Sequence, residues 1–349
     1  MADAPSGKPA RRPRYRGSHP RAFEEKYKEL NPDRYIGEVA KVLASGKTPA
    51  GMHRPIMVQE ILEVLSPRPG DFAVDATLGY GGHAVALLDR VLPGGRVLGL
   101  DVDPIELPKT DARLRSSGIP GDSLITRRSN FAGLARVLAA DGLPLADVVL
   151  ADLGLSSMQL DDPSRGFTFK REGPLDLRMN PHRGQPASGL LASVDAPRLA
   201  RVLEANADLE DADALARAIV DRQARAAITT TTALAGTVAD AMTAGRHGAE
   251  TIDSTVRRVF QALRIAVNDE YGALDAFLRL LPDCLAAGGR VAILTFHSGE
   301  DRRVKQAFKE GRRSGSFVRI AEDVMRPTVD ERRVNPRSSA AKLRWAVRG

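Results

Sequence analysis

The chain has 349 residues, 51 Lys/Arg against 44 Asp/Glu and one cysteine, Cys284, which gives ample length for a hydrophobic core but no internal disulfide framework, cysteine zinc finger or iron–sulfur cluster. No apolar run approaches the roughly 18 to 20 residues that cross a bilayer and the N-terminus lacks a secretory signal, so a soluble protein of a reducing compartment, by default the cytoplasm, is expected. The net charge of +7 divides as +5 over residues 1–50, −6 over 51–289 and +8 over 290–349; clustered cations at both ends point to a polyanion, the alternative being a solvated tail that aids solubility.

Residues 1 to about 17 are Pro, Gly, Ala and Arg (Arg11, Arg12, Arg14, Arg16) with little to bury, so they are expected to be disordered, and the whole of 1–50 to be a basic appendage. Its prolines and missing amphipathic face argue against a transit peptide. Helical spacing over Ile56 to Leu65 ends in the breaker cluster Ser66-Pro67-Arg68-Pro69-Gly70. Phe72 to Thr77 reads as a buried strand, followed by a glycine loop at Gly79 to Gly82 and a helix from His83 to about Val91. Further strands are predicted at Val97–Leu100, Ser123–Thr126 and Asp147–Asp152, with a helix at Leu134–Ala140. Continuous apolar strands alternating with helices imply an α/β fold, a doubly wound, Rossmann-like parallel sheet covered on both faces.

After Asp152 the pattern changes. A polar stretch rich in Gly, Pro and Arg runs from Asp161 to about Pro186, then only helical periodicity to about Gly248. A helix from Ser254 to about Leu281, a turn at Ala287-Gly288-Gly289 and the strand Arg290–Phe296 restore the α/β pattern. An inserted all-helical domain over 161–252, within a domain formed by 51–160 and 253–349, is therefore expected.

Four segments carry chemistry. Asp75-Ala76-Thr77-Leu78-Gly79-Tyr80-Gly81-Gly82-His83, followed by Asp101-Val102-Asp103, is the strand, glycine turn, helix and acid-tipped strand of a nucleotide-binding half. The pattern alone separates neither NAD nor S-adenosylmethionine (SAM) from a merely structural turn. An acid on the first strand, welcome to a cation, and the lack of a second dinucleotide half favour SAM. Asp152 ends the fourth strand, where ligands bind in open α/β sheets; it reads either as an acceptor that orients an attacking amine or as a cap for the following turn. Phe167 and Phe169 among Arg165, Lys170, Arg171 and Arg178 suit stacking with single-stranded RNA or ordinary packing. His297, at the end of the last strand, reads as an acid–base or nucleotide contact or as a turn residue before a helix that Glu300 and Asp301 stabilise.

Taken in order, His53, Asp75-x-Thr77-x-Gly79-x-Gly81-Gly82-His83, Asp101-x-Asp103-Pro104, Asp152-Leu153-Gly154-x-Ser156-Ser157-x-Gln159-Leu160-Asp161, Arg165-Gly166-Phe167, Gly173-Pro174-Leu175-Asp176-x-Arg178-Met179, Phe260-Gln261-Ala262-x-Arg264-Ile265-x-Val267-Asn268, Phe296-His297-Ser298-x-Glu300-Asp301-Arg302 and Asn335-Pro336-Arg337 form a series that resembles the bacterial small-subunit ribosomal RNA cytosine-N4 methyltransferase family (MraW type). The resemblance implies a SAM-dependent methyltransferase domain with a helical insertion for substrate recognition. It further implies N4-methylation of one cytidine in the decoding region of small-subunit (16S) ribosomal RNA, with the rRNA or small subunit as partner. By the same resemblance Gly81, Gly82, His83, Asp101, Phe131, Asp152 and Gln159 match the cofactor contacts, Asp152 is also the first choice for the catalytic group, no metal is expected, and some members look dimeric. Met158, Asn180 and Gly299 depart from the residues usual there. Rival readings are a DNA amino methyltransferase, which commonly has an Asp/Asn/Ser-Pro-Pro-aromatic motif where this chain has Asp152-Leu153-Gly154-Leu155, a non-catalytic ribosome-assembly factor on the same fold, and an NAD-dependent dehydrogenase.

Overall fold

The computed structural model describes residues 55–245 and 248–349; the basic extension 1–50 and His53 lie outside the described residues. Seven strands, β1 (Phe72–Asp75), β2 (Arg96–Asp101), β3 (Leu124–Arg128), β4 (Ala146–Asp152), β5 (Leu285–Thr295), β6 (Phe317–Ile320) and β7 (Lys342–Arg348), form one sheet in the order β3-β2-β1-β4-β5-β7-β6. From β3 to β5 all neighbours pair in parallel. Side chains alternate between the faces, as the two-residue period requires. Phe72, Val74, Leu98, Leu100, Val149, Val291 and Ile293 enter one apolar cluster, and Ala73, Val97, Val148, Leu150, Ala292 and Leu294 the other. Both faces are thus covered, which is why β1, β2, β4 and the second half of β5 are mostly apolar, whereas the edge strand β3 ends on exposed Arg127 and Arg128.

Helices α1 (Val58–Leu65), α2 (Gly82–Val91) and α3 (Glu106–Ser116) cover one face through Ile61, Leu65, Leu87, Leu88, Leu107 and Leu114. A separate cluster is built from α4 (Ala196–Ala207), α5 (Ala212–Arg225), α6 (Thr231–Ala244) and α7 (Ala249–Asn268). The predicted helix from Ser254 to about Leu281 is interrupted at Asp269, whose left-handed backbone (φ 49°) starts α8 (Glu270–Cys284). Val256, Val259, Phe260 and Leu263 of α7 lie in the helical cluster, whereas Leu274, Phe277 and Leu281 of α8 lie against the sheet. The boundary between the two cores therefore falls at that kink.

The sheet is not wholly parallel. β7 pairs antiparallel with β5 from Arg290↔Val347 to Thr295↔Lys342, and β6 pairs antiparallel with β7. Their sequences hide this, because Lys342 and Arg344 alternate with Leu343 and Trp345 and look like surface charge. Arg344 is nevertheless buried, its Nε donating to Asp301 Oδ1 at 2.6 Å, with Lys342 Nζ 3.3 Å from Oδ2. The predicted turn at Ala287-Gly288-Gly289 is an irregular stretch near the start of β5. Among the described residues no helix is long and apolar enough to cross a membrane.

Gly299 has a local structural cause. It lies in the first turn of α9 (Ser298–Ser314), and a Cβ there would sit 1.9 Å from the Tyr271 hydroxyl oxygen. That hydroxyl donates to the Asn206 carbonyl at 3.2 Å, and Arg303 stacks 3.7 Å from the ring centroid. Tyr271 thus fills the space a larger residue 299 would need. Gly299→Leu is expected to destabilise the protein by about 1–3 kcal/mol through overpacking, and Tyr271→Leu combined with it to recover a large part of that loss. Urea unfolding of the two single variants and the double variant measures the coupling; simple additivity would contradict the account.

Candidate active site

In an open α/β sheet ligands bind beyond the carboxyl ends of the strands where the strand order reverses, which here is between β1 and β4. Asp75 ends β1, Asp101 ends β2 and Asp152 ends β4, so the alternation that buries these strands delivers three carboxylates to one crevice. Asp75 is 1% exposed; its Oδ1 accepts from Thr77 N at 3.1 Å and its Oδ2 has no partner among the described residues. Burial pushes this carboxyl up to about 6, with Asp152 and Asp101 adding repulsion against the opposing pull of His83 and the Thr77 amide. Asp101 Oδ2 accepts from Gly79 N and Oδ1 from Asp103 N, both at 2.8 Å. Burial raises it to about 6 as well, despite those two amides.

The glycine loop is fixed mainly by the protein itself. Thr110 Oγ1 donates to Gly79 O at 2.7 Å. Gly81, with φ +76°, caps α2; a Cβ there would meet Leu114 Cδ1 at 2.8 Å, and one at Gly82 would meet Pro55 Cγ at 2.4 Å. Glycine at 81 and 82 is therefore required by packing against the chain's own side chains, in addition to any approach by a ligand. His83 follows in the first turn of α2, its side chain 8% exposed and its Nε2 3.5 Å from Asp152 Oδ2. Burial opposes protonation of the imidazole, but Asp152, Asp75 and Glu331 outweigh it and raise His83 above its ordinary value. The half-buried Asp152 donates its amide to Thr77 Oγ1 at 2.6 Å and leaves Oδ1 without a partner.

Phe131 opens a short 3₁₀ helix after β3, with Asn130 Oδ1 accepting from Ala132 N. The half-buried ring meets Phe277 edge-on, 5.4 Å between centroids. Gln159 is 7% exposed and already engaged at both ends: Oε1 accepts from Ser156 N at 3.0 Å and Nε2 donates to Asp103 Oδ2 at 2.7 Å. It joins the turn after β4 to the turn after β2, a role the sequence did not suggest. Arg165 NH1 donates to the same Asp103 oxygen at 2.7 Å, and its NH2 to Met179 O at 2.9 Å. Asp103 and Arg165 stand in the quoted motifs, but nothing in their spacing marks them as a buried pair. Glu331, whose Oε1 accepts from Met57 N at 2.8 Å, brings a further acid towards His83 from far along the chain.

Other predicted contacts resolve towards structure. Phe167 is buried in the helical cluster, so its ring is not displayed for base stacking, and the half-buried Phe169 packs on Phe260 at 5.1 Å. Arg178 makes a two-pronged pair with Asp176, Nε and NH2 each at 2.7 Å, and Arg264 pairs with Glu270 Oε1 at 2.7 Å. His297 caps α9, with Nδ1 accepting from Glu300 N at 3.3 Å and Nε2 3.1 Å from Glu300 Oε1; Glu300 Oε2 accepts from Phe296 N at 2.8 Å. The turn-residue reading of His297 is the one the geometry supports.

The donor set fits a cationic, hydroxyl-bearing ligand and opposes an anionic one. Asp75 Oδ2 and Asp152 Oδ1 are buried without partners among the described residues, and the Gly79 amide that would meet a pyrophosphate is taken by Asp101. A dinucleotide would face three carboxylates with one loop amide fewer to offer it. The model of the MraW methylase family matches residues 50–348. The chain belongs to that family. Curated relatives include ribosomal RNA small subunit methyltransferase H 2 of Alkaliphilus metalliredigens, 48% identical over 97% of both chains. Ribosomal RNA small subunit methyltransferase H 1 of Lachnoclostridium phytofermentans is 47% identical over 97% of this chain and 93% of its own. Among solved structures, an rRNA methylase from Streptococcus thermophilus is 13% identical with a TM-score of 0.36 over 83% of this chain and 93% of its own. The cofactor of this family member is SAM.

The raised carboxyls give an expectation for the pH dependence of cofactor binding. Asp75 and Asp101 keep their protons to about pH 6 when folded, against 3.8 ordinarily, so their stabilising contribution to the ligand-free fold is full below about 3.8 and is lost as pH rises through 6. A cation favours the ionised forms, so SAM affinity is expected to rise between pH 5 and 7. Calorimetry at three pH values checks this, and a flat profile would contradict it. At pH 7, Asp101→Ala is expected to weaken SAM about ten- to a hundredfold, because it removes charged acceptors worth about 1.5–3 kcal/mol each; unchanged affinity would remove Asp101 from the site.

Proposed function

We propose that this protein transfers a methyl group from SAM to N4 of one cytidine in the decoding region of small-subunit ribosomal RNA. SAM supplies an electrophilic methyl group on a sulfonium centre. In this reading Asp75 and Asp101 provide the negative environment and the acceptors for its methionyl and ribose parts, with Gly81, Gly82, His83, Phe131 and Gln159 as further contacts. A half-buried aromatic just after β3 is suited to an adenine face. The observation that carries the reaction is the unpartnered Oδ1 of Asp152 at the switch point. An exocyclic amine conjugated with its ring is a weak nucleophile; a carboxylate accepting its N–H draws the nitrogen towards sp³ and aligns it with the methyl carbon. The base must leave its stack to reach this position.

The names of the curated relatives support ribosomal RNA as the substrate. So does the distribution of charge that remains after internal pairing. Lys342 and Arg344 serve Asp301, and Arg337 NH2 pairs with Asp161 at 2.7 Å, but Lys305, Lys309 and Arg312 on α9 and Arg332 and Arg333 are exposed. The helical layer over about 161–252 is proposed as the substrate-recognition domain. Incubating the protein with methyl-labelled SAM and small subunits from a strain lacking the enzyme tests the proposal. Label in the rRNA is expected; SAM binding without transfer would favour a non-catalytic assembly factor.

A further inference from the structure

Methylating an amine leaves its nitrogen positively charged, with one proton too many. For the neutral product to form, that N–H bond must break, its electron pair must stay on nitrogen and the proton must reach an acceptor. Asp152 is the carboxylate at hand, and two features of its surroundings bear on how it works. Its Oδ1 is buried and unpartnered, and its Oδ2 faces the buried Nε2 of His83 at 3.5 Å, a nitrogen that has no closer hydrogen-bond partner among the described residues. His83 itself is placed by the packed glycine loop, on the first turn of α2.

We propose that His83 is a positioning residue for Asp152: its Nε2–H holds Oδ2, so that Oδ1 is the oxygen turned to the substrate amine and takes the amine proton. This rests on the reading of Asp152 given above. The carboxyl then gives the proton to water as the product leaves, and the carboxylate is restored. Among the described residues the charged groups that raise the imidazole are acids: Asp152 from β4, Asp75 from β1 and Glu331 from the C-terminal segment. They favour the protonated ring, and a protonated ring draws the charge of the carboxylate towards Oδ2 and away from the amine. Turnover should therefore rise with pH as His83 loses its proton.

The decisive test has two arms. NMR titration of the His83 ring in the full chain is expected to give a pKa above the ordinary 6.5, and Asp152→Asn to lower it clearly. An unchanged pKa would overturn the inference whatever the activity. In the kinetic arm, His83→Leu is expected to reduce kcat by on the order of a hundredfold, the scale of loss from a small misplacement. His83→Gln, which keeps an N–H donor but does not titrate, should retain kcat within about tenfold of wild type and lose the acidic limb of the pH profile. Equal losses in both variants, a limb that survives in His83→Gln, or a fall in SAM affinity alone by calorimetry would each overturn it. Failure of the wild type to transfer label would count against the proposed function instead, and the NMR arm would still decide whether the pair exists.

Discussion

Replacing Asp152 by Asn is expected to lower turnover by roughly 10²- to 10³-fold, the usual loss when one group aimed at a developing charge is removed, while SAM affinity is expected to change by less than about tenfold. The asymmetry follows from how the residue is held. Its main-chain amide donates to Thr77 Oγ1 at 2.6 Å, a bond the side chain does not share, so Asn inherits the same backbone position. What Asn lacks is the negative charge and the ability to accept a proton. The amide oxygen can still accept an N–H, but it draws the nitrogen lone pair out of conjugation less strongly and leaves the extra proton without a destination. Single-turnover label transfer alongside calorimetry separates the two quantities. Wild-type turnover in Asp152→Asn would remove Asp152 from the chemistry, and a parallel collapse of SAM affinity would make it a cofactor contact only.

Arg165→Ala should be the most destabilising of the changes considered, by about 3–5 kcal/mol, the cost of leaving one member of a buried ion pair without the other. Asp103 is 0% exposed and Arg165 7%. Asp103 Oδ1 accepts from Ile105 N at 2.9 Å and Glu106 N at 3.3 Å, while Oδ2 takes Arg165 and Gln159 together. Removing the guanidinium leaves a buried carboxylate short of its one cation and the Met179 carbonyl without its donor. The exposed pair Arg302–Asp208, with side chains 64% and 54% accessible, provides the comparison: Arg302→Ala should cost no more than about 1 kcal/mol. Urea unfolding of both variants measures the difference, and equal costs would contradict the assignment of Asp103 and Arg165 as the post that ties the cofactor crevice to the segment around Met179.

The parallel half of the sheet and the acids that end its strands were legible in the sequence for one reason. A strand buried on both faces must be apolar throughout, so a lone Asp at its end, as with Asp75, Asp101 and Asp152, stands out. Elements whose polar residues are internally paired were hidden. β7 carries Lys342 and Arg344, buried or half-buried through Asp301, and such residues read as surplus surface charge. α3 went unseen because it buries only Leu107, Thr110 and Leu114 among charged residues. The break between α7 and α8 rests on a left-handed Asp269, with neither glycine nor proline to announce it. In the site, the approach of His83 to Asp152, of Glu331 to Met57 and of Arg165 to Asp103 links residues far apart in the chain, and no spacing rule encodes it. The charge arithmetic narrowed accordingly: part of the C-terminal +8 is held in internal pairs, and the exposed cations include Lys305, Lys309 and Arg312 of α9, Arg319, Arg326, Arg332 and Arg333.

The central claim is the identity of the methylated atom, and nucleoside analysis tests it most directly. After incubation with isotopically labelled SAM, small-subunit rRNA from a strain lacking the enzyme is digested to nucleosides and resolved by mass spectrometry. The account predicts label in N4-methylcytidine, at a single position in the decoding region, appearing roughly 10²- to 10³-fold more slowly with Asp152→Asn protein. Label in another nucleoside, or at carbon 5 of cytosine, would contradict it.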